Sequence, residues 1–101
     1  MAFTVEANNH QGHSIASIQL TRELEIRLPV ITDTRYPILR FLDPYGDTTL
    51  NRLQIAQLLI ELDQLGAEIS EPAALQCIDA LATIARSAQA EPHSELTFIG
   101  D

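Results

Sequence analysis

The stretch Asp43-Pro44-Tyr45-Gly46-Asp47-Thr48-Thr49-Leu50-Asn51-Arg52-Leu53-Gln54 narrows the possible folds most, because it joins a rigid turn directly to the most apolar helical pattern in the chain. Pro44 fixes its own φ and pushes Asp43 toward extended backbone, and Gly46 is the residue expected to supply a positive φ. Asp47, Thr48 or Thr49 can then offer a side-chain oxygen to the N–H groups that a first helical turn leaves unpaired. The helix that follows is expected over 49–65, with Gly66 as its stop.

That helix has two apolar sides. Ile55, Leu58, Leu59, Leu62 and Leu65 share one, and Leu53, Ala56 and Ile60 form the other. Gln54, Gln57, Glu61 and Gln64 run between them as a polar line at helical spacing. A helix apolar on two sides packs against more than one neighbour, so this element belongs at the centre of the fold.

The rest of the chain supplies those neighbours. Ala2–Ala7 and Ser14–Leu20 alternate apolar and polar residues as half-buried strands, and the polar loop between them, which contains Gly12, makes them an antiparallel hairpin. Residues 21–28 fit either a strand or a short helix capped by Thr21, and the charge density of Arg22-Glu23-Leu24-Glu25 favours the helix. Pro37 opens another brief helix through Phe41. Ser70 is placed to cap a second long helix, which begins at Pro72 and runs to about Gln89. A last alternating strand covers Glu95–Ile99 and is followed by Gly100 and Asp101. The expected product is one α+β domain over 1–101: a small, mainly antiparallel three-stranded sheet, two strands N-terminal and one C-terminal, on a pair of long helices plus short helices. The last strand should pair with one of the first two.

Charge is distributed unevenly. Residues 1–52 carry six acids and five arginines, a balance of −1, whereas 53–101 carry eight acids against Arg86 alone, a balance of −7. Nucleic acid is an unsuitable partner for such a surface, because affinity for it comes largely from Lys and Arg contacts to phosphate. A basic protein is the partner it suits, and solubility is the plainer explanation. Of the six arginines, Arg27, Arg35, Arg40 and Arg52 bracket the central turn, where Asp43 and Asp47 are the nearest acids for an ion-pair network. No apolar run reaches the length of a membrane span, and no basic-then-apolar leader opens the chain, so a cytoplasmic protein is expected.

No catalytic, metal or cofactor motif is present. His10, His13 and His93 lack the spacing of a zinc site, and Cys77 sits at an apolar helical position. Counting from Asp43, Gln54 occupies the place where a calcium-binding loop needs a glutamate. A small metal-dependent enzyme or metal-binding protein using Asp43, Asp47 and a histidine is the alternative reading, and an oligomerising structural subunit a further one.

Tyr36-Pro37-Ile38-Leu39, Leu42-Asp43-Pro44-Tyr45-Gly46-Asp47-Thr48, Asn51-Arg52-Leu53-Gln54 and Phe98-Ile99-Gly100-Asp101 together resemble a group of small uncharacterised bacterial proteins. That group shares the Asp-Pro-Tyr-Gly-Asp-Thr core and the Phe-Ile-Gly-Asp ending, and the resemblance covers the second two thirds of the chain. It implies no activity and transfers no catalytic residue. In size and charge alone the chain is similar to immunity proteins that neutralise toxins. The leading expectation is a non-enzymatic module that binds a basic protein. Its candidate residues are Asp43, Tyr45, Asp47, Asn51 and Arg52 around the turn and Glu61, Asp63, Glu68 and Asp79 on the helices.

Overall fold

A computed structural model describes residues 3–100; Ala2, expected in the first strand, and Asp101, expected after the last, lie outside them. The order is β1 (Thr4–Asn8), β2 (Ser14–Gln19), α1 (Arg22–Glu25), a short 3-10 helix (Leu39–Phe41), β3 (Asp47–Leu50), α2 (Arg52–Glu68), α3 (Pro72–Ala90) and β4 (Glu95–Ile99). All pairings are antiparallel, in the spatial order β2-β1-β4-β3. β4 thus lies between β1 and β3, and its pairing with β1 (Val5 opposite Phe98, Ala7 opposite Leu96) joins the two ends of the chain.

The sheet has four strands rather than the expected three, and the addition is β3. Asp47-Thr48-Thr49-Leu50 is a strand leading to the helix, not its cap. Thr48 and Leu50 face the core side, Leu50 fully, while Asp47 and Thr49 face outward. The two β-branched residues suit a pleated backbone, and Thr49 Oγ1 lies 3.1 Å from Thr97 Oγ1 on the neighbouring strand. The cap of α2 is instead Asn51. Its Oδ1 accepts from Gln54 N at 3.0 Å while Gln54 Oε1 accepts from Asn51 N at 2.9 Å, a reciprocal capping box.

One face of the sheet is covered by the helices. Val5, Ala7, Leu50, Leu96 and Phe98 are buried there, and Phe3 meets Phe98 edge to face at 6.4 Å. Each such large apolar side chain contributes about 1.5–3 kcal/mol by leaving water. α3 packs across β1, β2 and β4 and also meets α1, while α2 lies alongside α3 and reaches β3. α3 buries Ala74, Ala82, Ala85 and Ala88 among its larger residues, and these small side chains let it seat closely.

Several local expectations are corrected. Gly66 lies inside α2, which runs on to Glu68, and Ser70 is not a cap, because Glu71 holds that position without a side-chain hydrogen bond. The helix over 21–28 is shorter than expected, Arg22–Glu25, though Thr21 does cap it. The second apolar side of α2 is not a packing face, since Leu53 is 82 % and Ile60 55 % exposed. Gly46 does not adopt a positive φ; among described residues Gly12 and His93 do.

The glycine that geometry requires is Gly100. Its N–H donates to Gly46 O at 2.8 Å, and a Cβ there would stand 2.6 Å from both Gly46 O and Pro44 C. Those neighbours are backbone, so they cannot rotate away. Gly100→Ala is therefore expected to lower stability by about 1–3 kcal/mol, read as a drop in the urea midpoint at unchanged slope. At Gly46 the same addition would meet the Asp43 side chain, which can move, so Gly46→Ala should cost less.

Candidate functional site

The residues singled out from the sequence fall into four places, not one surface. The first is the turn. Asp43 Oδ1 accepts from Tyr45 N at 2.9 Å, Gly46 N donates to Asp43 O at 3.4 Å, and Asp43 N donates to Thr48 Oγ1 at 3.5 Å. Asp43 therefore closes its own turn. Tyr45 projects from it, 84 % exposed, and Asp47 is exposed at the start of β3. Gly100 packs against this turn from the far end of the chain, so the two halves of the Asp-Pro-Tyr-Gly-Asp-Thr and Phe-Ile-Gly pattern are in contact.

The second place is the start of α2. Asn51 is occupied in capping, whereas Arg52 is exposed and lines a shallow hollow with His93, Ser94 and Glu95. The expected network between Arg40, Arg52, Asp43 and Asp47 is not formed. Among the described residues, the ion pairs join Arg35 to Asp33 at 2.9 Å and to Glu68 at 3.1 Å.

The third place holds Glu61, which is 0 % exposed and cannot meet a partner. Its Oε1 accepts from both Ile38 N and Leu39 N at 2.9 Å, and its Oε2 accepts from Gln57 Nε2 at 3.0 Å. The polar line along α2 thus faces the segment that leads into the 3-10 helix and ties it down. Losing the carboxylate would leave buried backbone donors without an acceptor, which costs about 1–3 kcal/mol for each. Glu61→Ala is expected to destabilise the protein by about 2–4 kcal/mol, and Glu61→Gln, which keeps an acceptor oxygen, by clearly less; paired urea titrations measure both.

Glu68 is likewise engaged. Its Oε1 accepts from the Tyr36 hydroxyl at 2.7 Å and from Arg35 Nη1 at 3.1 Å, while Arg35 also grips Asp33 through Nε and Nη2. The Arg35 hydrogen bonds hold the Asp33 carboxyl below its usual range. Asp33, Arg35 and Tyr36 went unrecognised in the sequence as a group with Glu68, because that partner lies on α2, far along the chain. Arg35 also lies over the Tyr36 ring at 5.3 Å.

Asp63 and Asp79 make up the fourth place. Both are exposed, and both line an open groove of about 360 Å³ between α2 and α3, whose floor includes Leu62, Leu75 and Ile78. Arg86 lines the same groove. Large apolar side chains are also exposed elsewhere, at Ile26, Val30, Ile31 and Phe41, in stretches read from the sequence as short helices and loop. The Leu28-Pro29-Val30-Ile31 run was the available signal.

Among the described residues no three His, Cys, Asp or Glu side chains gather where a metal could sit, and no helix is long and apolar enough to cross a membrane. Cys77 is buried, and its Sγ accepts from Thr21 N at 3.4 Å.

Burial, reinforced by the Glu68 carboxylate, pushes the Tyr36 hydroxyl up from 10 to about 12. A raised value means that the folded state favours the neutral phenol. This contribution to stability is complete below pH 10 and is lost as pH rises through about 12. The ultraviolet phenolate signal that disappears in Tyr36→Phe should therefore titrate near pH 12, and Glu68→Gln should move it down.

Comparison of the chain with protein-family models, with curated proteins and with solved structures returned no match.

Proposed function

We propose that this protein is a non-enzymatic binding module whose acidic helical face receives a basic protein partner, in the manner of an immunity-type inhibitor. One observation carries the reading: Asp63 of α2 and Asp79 of α3, 16 positions apart in sequence, line the same apolar-floored groove. A partner that fits it presents an apolar side chain to Leu62, Leu75 and Ile78 and lysine or arginine to the two aspartates. The balance of −7 over residues 53–101 would draw such a partner in from a distance.

The contact set is smaller than the acidic count suggests. Glu61 is internal and Glu68 is held by Arg35 and Tyr36, so Asp63 and Asp79 are the acids left at the groove. Tyr45 and Arg52 are exposed and available to a partner, but they lie at the turn and at the start of α2 and do not line the groove.

The test is capture of partners from the native host by the tagged protein at low and high salt, with identification by mass spectrometry. A basic protein held at low salt and released at high salt is the expected result, since exposed charges are screened within about 8 Å at physiological ionic strength. Asp63→Lys and Asp79→Lys should each weaken binding by about tenfold or more, while Asp33→Ala should not. Binding that ignores both salt and these substitutions would overturn the reading.

A further inference from the structure

An open sheet has two free edges, and this sequence treats them differently. The edge formed by β3 is four residues long, carries Asp47 and runs almost at once into α2. Short length and a charged side chain are recurrent ways of keeping an edge from pairing. The opposite edge, β2, is six residues long and reads Ser-Ile-Ala-Ser-Ile-Gln, with no charge and no proline. Its irregularity is a bulge opposite Ala7 and Asn8, at the hairpin end, beyond which Ala16 to Gln19 pair regularly with β1.

The direction of its backbone groups follows from one bond. Leu20 N donates to Phe3 O at 2.9 Å, and the bonding direction alternates along an antiparallel strand. Ile18 and Ala16 therefore bond toward β1, and Ser17 and Gln19 turn their N–H and C=O groups to the open side. β2 itself carries no charge, and the charged side chain beside it in the sheet is Glu6 of β1, opposite Ser17. Asp79 and Arg86, the charged residues of α3, both line the groove toward α2, whereas Cys77 on its other flank meets Thr21 just beyond β2. In a chain of net charge −8, two copies meet here with little repulsion, since the two Glu6 residues would stand three strand spacings, about 14 Å, apart and beyond the screening length of about 8 Å.

We propose that a second copy of this chain adds to β2, antiparallel and across a two-fold axis at Ser17, so that the two sheets become one. The register that uses the whole strand sets Ser17 opposite Ser17, Ala16 opposite Ile18 and Ile15 opposite Gln19, with no like charges facing. An axis normal to the sheet keeps both helical layers on one side, so the inward positions of Ala16 and Ile18 are preserved. Ile15, 43 % exposed in the single chain, becomes covered. The α2–α3 groove stays open, so this pairing and the binding of a basic protein stand or fall separately.

Analytical ultracentrifugation of the full chain should give a reversible species of twice 11.2 kDa. Ser17→Glu opposes two carboxylates on the axis and should yield a monomer with an unchanged circular dichroism spectrum. Ser17→Cys should link into a covalent dimer under mild oxidation, because facing Cα atoms about 5.5 Å apart lie within disulfide range; Thr49→Cys, on β3, should not. A wild-type chain that is monomeric at every concentration, a dimer that survives Ser17→Glu, or a Ser17→Cys chain that does not link would each overturn the proposal.

Discussion

The buried carboxylate of Glu61 is the interaction on which much of this structure depends. It takes two backbone N–H groups at the entry to the 3-10 helix and a third hydrogen from Gln57, all without a cation among its hydrogen-bond partners. An ionisable group with 0 % exposure is tolerable only when its oxygens are satisfied, and here the donors come from backbone that would otherwise be unpaired itself. The exchange solves two problems at one place. It gives irregular chain a fixed seat on α2, and from that seat Tyr36 and Leu39 reach the core.

A second constraint acts at the opposite end of that irregular chain. The Asp43–Gly46 turn is closed by its own aspartate and receives Gly100 at a distance that excludes any side chain. Because Gly100 follows β4 directly, this contact fixes how β3 begins against β4. The carboxylate and the turn thus fasten the two ends of residues 36–46, one to α2 and the other to Gly100 after β4. Within the polar stretch Asp43 is engaged in its own turn and Asn51 in capping α2, while Tyr45, Asp47 and Arg52 are left outward.

The groove between α2 and α3 differs from these features in being open: none of the described residues fills it. Its aspartates have no ion-pair partner among the described residues, its floor is apolar, and of the helices that form it α3 packs on β1, β2 and β4 while α2 reaches β3. An apolar floor flanked by two aspartates is what the proposed recognition of a basic protein would use.

Local periodicity made much of the architecture legible. Alternation in Ala2–Ala7, Ser14–Leu20 and Glu95–Ile99 marked three strands, and the 3.6-residue spacing of Ile55, Leu58, Leu62 and of Ala74, Ile78, Leu81 marked the long helices, because side-chain direction is set within a few residues. Asp63 and Asp79 were legible as acids but not as neighbours. What only tertiary structure decided were pairings between distant segments. Asp47–Leu50 becomes a strand because β4 supplies the missing ladder, since four residues rich in Asp and Thr suit a helix cap equally well. Glu61 turns inward because Ile38 and Leu39 bring donors that no local pattern reveals. Gly100 must be glycine because a turn from the middle of the chain stands against it. The sequence by itself determined where each residue could point; the meeting of remote backbone decided which of those directions became interior.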